Sequence, residues 1–469
     1  MPRRNLFALG LVGAVSLFCW QATHGAKPKD EMMELYGVFV DAVEQVEANY
    51  VRPVSRRELL ESALKGMLQN LDQHSSFINV SEWRQFKRQI EGRFGGIGIQ
   101  VGMDNEMNRL KVIAPMVGTP AYEAGVLAGD LIMEIDGQST EGMSPDKAVE
   151  VLTGRPGTSV KLAVLHEGDE KPETLTMARA IIDVPSVLGD TRKPDDQWDF
   201  LVDKDKKIGY IRISSFIQNT VEELKKALLE LKAEGMQGLI LDLRDNPGGL
   251  LGAAVEISDL FIDEGLIVST KGRNTVSKTY EAQREGTFDD FPMVILVNQY
   301  SASAAEIVSA CLQDHDRAVV VGQRTYGKGS VQNIIDLEDG NCVLKLTVAT
   351  YQRPSGKNIH RFKSAKPSDE WGVSPNPGMV VEFAPREYKA WADARRDRDL
   401  VTSGKRPKRP ADAKPDVKED KEKDKGPEVK PREDDPAKEH AKTHPFTDRQ
   451  LAKALEVIKG KIDAPMAKK

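Results

Sequence analysis

Three short stretches of this 469-residue chain hold residue types able to do covalent chemistry. The first is Tyr300-Ser301-Ala302-Ser303-Ala304-Ala305-Glu306, between an apolar strand ending near Val297 and a predicted helix. A serine at such a turn holds its hydroxyl over a helix N-terminus, where the dipole and unpaired N–H groups favour a developing anion. The second, Thr325-Tyr326-Gly327-Lys328-Gly329-Ser330-Val331-Gln332, sets a lysine between two glycines just past an apolar strand over 318–321. An amine turned inward there loses hydration, which lowers its pKa and makes it a general base near neutral pH. The third, Asp242-Leu243-Arg244-Asp245-Asn246-Pro247-Gly248-Gly249-Leu250, places two glycines between a strand and a helix. Their exposed N–H groups are what an oxyanion hole requires. Each stretch also has a plainer account. Serine is a favoured helix cap, a lysine between glycines is a surface turn, and Pro-Gly-Gly is an ordinary bend. A phosphate loop is not one of the options, because the lysine stretch lacks the Gly-Lys-Ser/Thr ending and the earlier glycine at its required spacing.

Other chemistries find less support. A Ser–His–Asp arrangement would have to use His315 with Asp314 or Asp316. Twelve residues along one helix put that imidazole about 18 Å from Ser303, out of reach. The seven histidines are scattered without ligand-pair spacing, so no metal site is expected. Past the N-terminal segment only Cys311 and Cys342 remain, both in apolar surroundings, which points to buried, inert thiols rather than a disulfide framework. The net charge of −6 is spread over 66 basic and 72 acidic residues, and gives no footprint for nucleic acid.

The elements that must position these stretches follow from the periodicity. Residues 31–89 repeat apolar side chains at three and four, as in Leu60, Leu64, Met67 and Leu71, so they form amphipathic helices that need something to pack on. From Phe94 the texture changes to short strands and turns, with Asp136-Gly137 as a hairpin signal. From Ile208 strands alternate with helices, and the run 239–243 is apolar apart from Asp242, as a strand covered on both faces should be. Thr220 and Glu223 read as a capping box for a helix carrying Leu224, Leu228 and Leu231 on one face. This alternation indicates a layered α/β domain. Residues 405–445 lack Phe, Trp and Tyr and are dominated by Lys, Glu, Asp and Pro, a composition expected of a disordered linker. A last helix follows, with Thr447 and Gln450 as its capping box, Phe446 and Leu451 as its staple, and Leu451, Leu455 and Ile458 on one face.

At the N-terminus, Arg3 and Arg4 precede an apolar run over 6–20 and then the small residues Gly25 and Ala26. This is the form of a secretory signal, with His24 a poor residue near the cleavage point, so an uncleaved anchor is the alternative. Cys19 lacks the preceding small residue of a lipid-modified cysteine.

Taken together, Ser301 to Glu306, Gly327 to Gln332 and Asp242 to Gly249 resemble the carboxyl-terminal processing (tail-specific) peptidases. The serine-to-lysine spacing of 25 residues fits that family, as do Leu71-Asp72-Gln73-His74-Ser75 and Tyr351-Gln352-Arg353-Pro354-Ser355-Gly356. The resemblance implies a serine endopeptidase without a cofactor. Ser303 would be its nucleophile, Lys328 its general base and Gln332 the residue that orients the lysine. The backbone N–H of Ala304, with that of Gly248 or Gly249, would form the oxyanion hole. It further implies a PDZ domain whose loop Gly96-Ile97-Gly98-Ile99 binds the terminal carboxylate of a protein substrate, the tail adding as a strand. Expected partners are proteins with accessible C-terminal tails, an adaptor protein and a second copy in a homodimer, with the periplasm or cell envelope as the location. A catalytically inert tail-binding scaffold is the alternative, disfavoured because both serine and lysine stand at the matching positions.

The implied architecture is α/β: a crotonase-like peptidase core with an inserted PDZ domain and flanking N- and C-terminal helices. The expected divisions are a signal or anchor over 1–26, a helical region over 27–93, PDZ over 94–182, core over 183–397, linker over 398–446 and terminal helix over 447–469. That helix is expected to dock on the N-terminal helices. Two departures stand out: Thr153, with Arg155 close but shifted, occupies the place where some members of the family carry a PDZ arginine, and the charged linker is longer than expected.

Overall fold

The computed structural model describes residues 31–400 and 446–464. The expected signal segment and nearly all of the expected linker lie outside the described residues.

The chain divides into two compact units. One joins the helical region up to Val80 with residues 333–347 from far along the sequence. Its helices are Glu31–Asn49 and Arg56–Gln69, the latter capped by Ser55, whose hydroxyl accepts the Glu58 N–H. Strand Ser76–Ile78 pairs antiparallel with residues 343–345, and Leu68, Phe77 and Cys342 form the small core. Between helix and strand, one oxygen of Asp72 accepts the N–H groups of His74 and Ser75, and the other the Ser75 hydroxyl. The Thr347 N–H donates to that hydroxyl. The Leu71 to Ser75 motif is thus a structural clip. The Glu31–Asn49 helix leaves Met33, Leu35, Tyr36 and Val38 exposed within the single chain.

The second unit contains a small antiparallel domain and the α/β core. In the small domain the strands lie in the order Ile99–Asp104, Arg109–Pro115, Leu131–Ile135, Ser159–Leu165 and Glu173–Ala178. Helix Pro145–Leu152 closes their core. The Asp136-Gly137 turn has φ of 51° and 81°, the left-handed pair that a two-residue hairpin requires. Strand Ile99–Asp104 is the first in this order, so among the described residues one of its edges is unpaired.

The core is built on four parallel strands, β1 (Ile208–Ile213), β2 (Gly238–Asp242), β3 (Met293–Val297) and β4 (Ala318–Gly322). Helices α1 (Thr220–Ala233), α2 (Leu251–Asp259) and α3 (Ala304–Asp314) contribute to one apolar layer with Ile211, Leu239, Leu241, Ile295 and Val320. The alternate residues Ile208, Tyr210, Ile240, Val294, Leu296 and Val321 belong to a second layer with Ala454 and Ile458 of the terminal helix α4 (Arg449–Asp463).

This corrects the expectation for α4, which packs on the core sheet and not on the N-terminal helices. The reason is the period-two alternation of strands that are apolar on both faces. α1, α2 and α3 all serve one face, and the other must be covered too. The caps also differ from expectation. α4 is capped by Asp448, whose carboxylate accepts the Leu451 N–H, while Gln450 is buried and donates to the Val381 carbonyl. α1 begins after Asn219; the Thr220 hydroxyl accepts the Ile217 N–H, and Glu223 reaches across to the N–H groups of Ser186 and Val187. In both cases a partner distant in sequence outcompetes the local box.

Candidate active site

Ser303 stands at the N-cap of α3 with φ 55° and ψ −115°, a conformation outside the wells that L-residues ordinarily occupy. The turn before it is fixed by buried polar groups. The Ser301 hydroxyl donates to the Leu243 carbonyl at 2.7 Å and accepts the Asn298 N–H at 2.9 Å. The Ala302 N–H donates to the Asn246 carbonyl at 2.9 Å. Ser301 is therefore a brace, and Ser303 is the serine left at the helix mouth.

The Asp242 to Gly249 stretch is held from both ends. Arg244 donates to both oxygens of Asp242, to Asp448 and to Gln450, and Tyr210 donates to Asp242 at 2.7 Å. Both members of the Asp242–Arg244 pair are buried, and such a pair is worth keeping only when its remaining lone pairs and protons are satisfied, as they are here. Asn246 then sets the glycines. Its amide donates to the Ile213 carbonyl, and its side-chain oxygen accepts the Gly248 N–H at 2.8 Å. Gly248, with φ 96°, lies so close to the serine that an added Cβ would sit 2.6 Å from Ser303 Cβ and 2.9 Å from Ala304 N. Gly249 is equally constrained by the Phe216 carbonyl, which accepts the Leu250 N–H.

The lysine loop meets the serine turn directly. The Tyr326 N–H donates to the Ser301 carbonyl at 2.9 Å. The carbonyls of Gly327 and Gly329 accept the N–H groups of Arg361 and Tyr351, both at 2.8 Å. A Cβ on Gly327 would strike Arg361 and Trp371, and one on Gly329 would strike His360, so the Gly-Lys-Gly sequence is a steric requirement. Lys328 between them is half-buried. The Gln332 amide donates to the Ser330 hydroxyl at 2.8 Å.

Glu306 has a part that its place in the serine motif alone does not reveal. Its carboxylate is fully buried and accepts the N–H groups of Ser303, Gly327 and Lys328 and the Thr325 hydroxyl. Burial pushes its pKa up to about 7, against the pull of those donors. The Ser-x-x-Glu spacing was the available signal, since it is a helix-start signature. His315, by contrast, lies at the far end of α3 and donates through Nε2 to the Leu266 carbonyl.

In the small domain, Ile97 and Gly98 turn their carbonyls inward. The Ala121 N–H donates to Ile97, and the Met116 N–H and Thr119 hydroxyl to Gly98. Gly98 has φ 77°, and a Cβ there would fall 2.4 Å from Thr119. Gly96 and Ile99 flank this loop, at the end of strand Arg93–Gly96 and the start of strand Ile99–Asp104.

Residues 207–375 match the profile of peptidase family S41, and residues 111–165 that of a PDZ domain. A carboxy-terminal-processing protease of Bartonella bacilliformis is 38% identical over 75% of this chain and 76% of its own length. The carboxy-terminal processing protease CtpA of Bacillus subtilis is 34% identical over 74% of this chain and 72% of its own. A solved photosystem II D1 C-terminal processing protease is 29% identical, with 73% of this chain and 92% of that one covered, at a TM-score of 0.41. With relatives of this identity covered over more than two thirds of their length, the chain belongs to peptidase family S41, as a serine peptidase of the carboxy-terminal-processing type with a PDZ domain.

Proposed function

We propose that the protein is an exported endopeptidase that cleaves protein substrates selected by their C-terminal tails, with Ser303 as nucleophile and Lys328 as general base. The observation that carries this reading is the meeting of two loops: the strained serine turn and the Gly-Lys-Gly loop are held by the same buried carboxylate. Ser303 Oγ attacks the scissile carbonyl while its proton passes to the neutral Lys328 amine. The ammonium then protonates the departing amine, and water releases the acyl group by the same route. Gln332 serves to orient the lysine.

The oxyanion donors are the N–H groups of Ala304 and Gly249. Gly248 donates instead to Asn246 and supplies the close approach. The inward-tied carbonyls at Ile97 and Gly98 support a tail-carboxylate site over Gly96 to Ile99, with the free edge of Ile99–Asp104 receiving the tail as a strand. The parallel sheet with helices on both faces is compatible with a crotonase-like core. The signal-like residues 1–26 support export to the periplasm or envelope, and the exposed apolar Glu31–Asn49 helix supports a homodimer.

Incubation with an unstructured polypeptide tests the centre of this reading. Ser303→Ala should abolish cleavage and leave the melting temperature nearly unchanged, because a cap hydroxyl is worth about 1–2 kcal/mol at most. Residual cleavage at the wild-type rate would remove Ser303 as nucleophile.

A further inference from the structure

The mechanism above assigns no step of the reaction to the buried acid that holds both loops. Glu306 has no exposed surface, and a carboxylate without partners would be costly there. Its Oε2 accepts the N–H of Ser303 at 2.8 Å and that of Lys328 at 2.7 Å. Its Oε1 accepts the Gly327 N–H at 2.7 Å and the Thr325 hydroxyl at 2.5 Å. A capping-box acid serves its own helix. This one spends three of its four bonds on a loop about twenty residues further on, and one oxygen joins the backbones of serine and lysine. Thr325 extends the network by accepting the Val373 N–H at 2.8 Å.

We infer that Glu306 is a positioning residue for the reaction: as a carboxylate it fixes the separation of the serine turn from the lysine loop, and catalysis requires its charge. The inference rests on the Ser303–Lys328 reading. A carboxylate presents acceptors at both oxygens, whereas its acid form carries a proton on one of them. With a pair of donors at each oxygen, that proton necessarily faces donors, and the loops part. The elements around Glu306 carry few other charges. Lys328 is on the loop it holds, and Arg361 and His360 back Gly327 and Gly329. Asp314, at the far end of α3, is paired with Arg353.

The sign of the pH effect separates positioning from mere support. Burial raises this carboxyl to about 7, so protonation falls within the working range. Below that value the buried charge is gone, and this group stabilises the fold relative to higher pH. Activity should move the other way. Protonation of Lys328 alone makes log(kcat/KM) fall with slope one toward acid. Glu306 should steepen it toward two below about pH 7.

The test compares the full-length protein with Glu306→Gln and Thr325→Val in cleavage of an unstructured polypeptide, with Ser303→Ala in parallel. Glu306→Gln should lower kcat about 100-fold with KM changed little, as expected when reacting groups are displaced by about 1 Å. It should also lose the steeper acid limb. Thr325→Val, which removes one donor and keeps the carboxylate, should lower kcat about tenfold and retain that limb. A Glu306→Gln enzyme within threefold of wild type (about 0.7 kcal/mol), or a wild-type profile of slope one throughout, overturns the inference. If Glu306→Gln does not fold, Thr325→Val at the wild-type kcat together with a slope-one wild-type profile overturns it. Cleavage by Ser303→Ala would instead remove the nucleophile assignment, and this inference with it.

Discussion

Ser303 holds a backbone conformation that a capping serine does not need, and strain of this kind costs about 1–3 kcal/mol. The surroundings supply the restraint. Bonds from Ala302 to Asn246, from Ser303 to Glu306 and from Tyr326 to Ser301 fix the residue, its predecessor and the facing loop. The lysine is served in the same manner, by two flanking glycines that tolerate no Cβ and two carbonyls already bonded. The proposed role of this lysine as base can be tested by changing its chemistry and keeping its charge. Lys328→Arg should be inactive at every accessible pH, since guanidinium does not give up a proton usefully and its planar head is bulkier than an ammonium. Circular dichroism should report an intact fold. An active Lys328→Arg enzyme would falsify the general-base role.

At the scale of elements, the sequence patterns and the structure agree where the signal is local. The apolar run from Leu239 to Leu243 is a strand buried on both faces, and Asp136-Gly137 is a left-handed hairpin turn. Agreement fails where a long-range partner decides. Glu223 leaves its own helix start for Ser186, and Asn246 and Asn298, ordinary turn residues by sequence, organise the serine turn through backbone groups. Residues 333–347 leave the core domain to join the N-terminal helices because Leu337, Cys342, Leu344 and Leu346 find their apolar neighbours there. No window of sequence contains both halves of such a contact. The loop proposed to bind the tail can be probed at its glycine. Gly98→Val should clash with Thr119 and strain a φ of 77°. Wild-type enzyme should cut a free-acid peptide with an apolar terminus faster than its amide, and Gly98→Val should bring the two rates together. Equal rates for acid and amide with the wild-type enzyme would leave the loop without its proposed ligand.

At the scale of the molecule, the terminal helix completes the core from far along the sequence. Ala454 and Ile458 are fully buried against the second face of the sheet, and Gly238 is what lets the helix approach. A Cβ on Gly238 would stand 2.9 Å from Ile458 Cδ1. The start of the helix is bound to the same machinery as the site, since Asp448 accepts from Arg244 and from the Trp391 indole at 3.1 Å, and Arg244 holds the strand end that leads to Gly248. Two consequences differ from those of a helix that joins subunits. Ile458→Ala leaves a cavity in a packed layer and should cost about 2–5 kcal/mol, read as a lower urea midpoint at unchanged slope. Activity should fall with that stability, through the displaced Asp448–Arg244 anchor. The sedimentation coefficient should stay that of the wild type, because the surface proposed for a second copy is the exposed apolar Glu31–Asn49 helix and not α4. A change of oligomeric state in Ile458→Ala, with the urea midpoint unmoved, would return α4 to the role of a subunit contact.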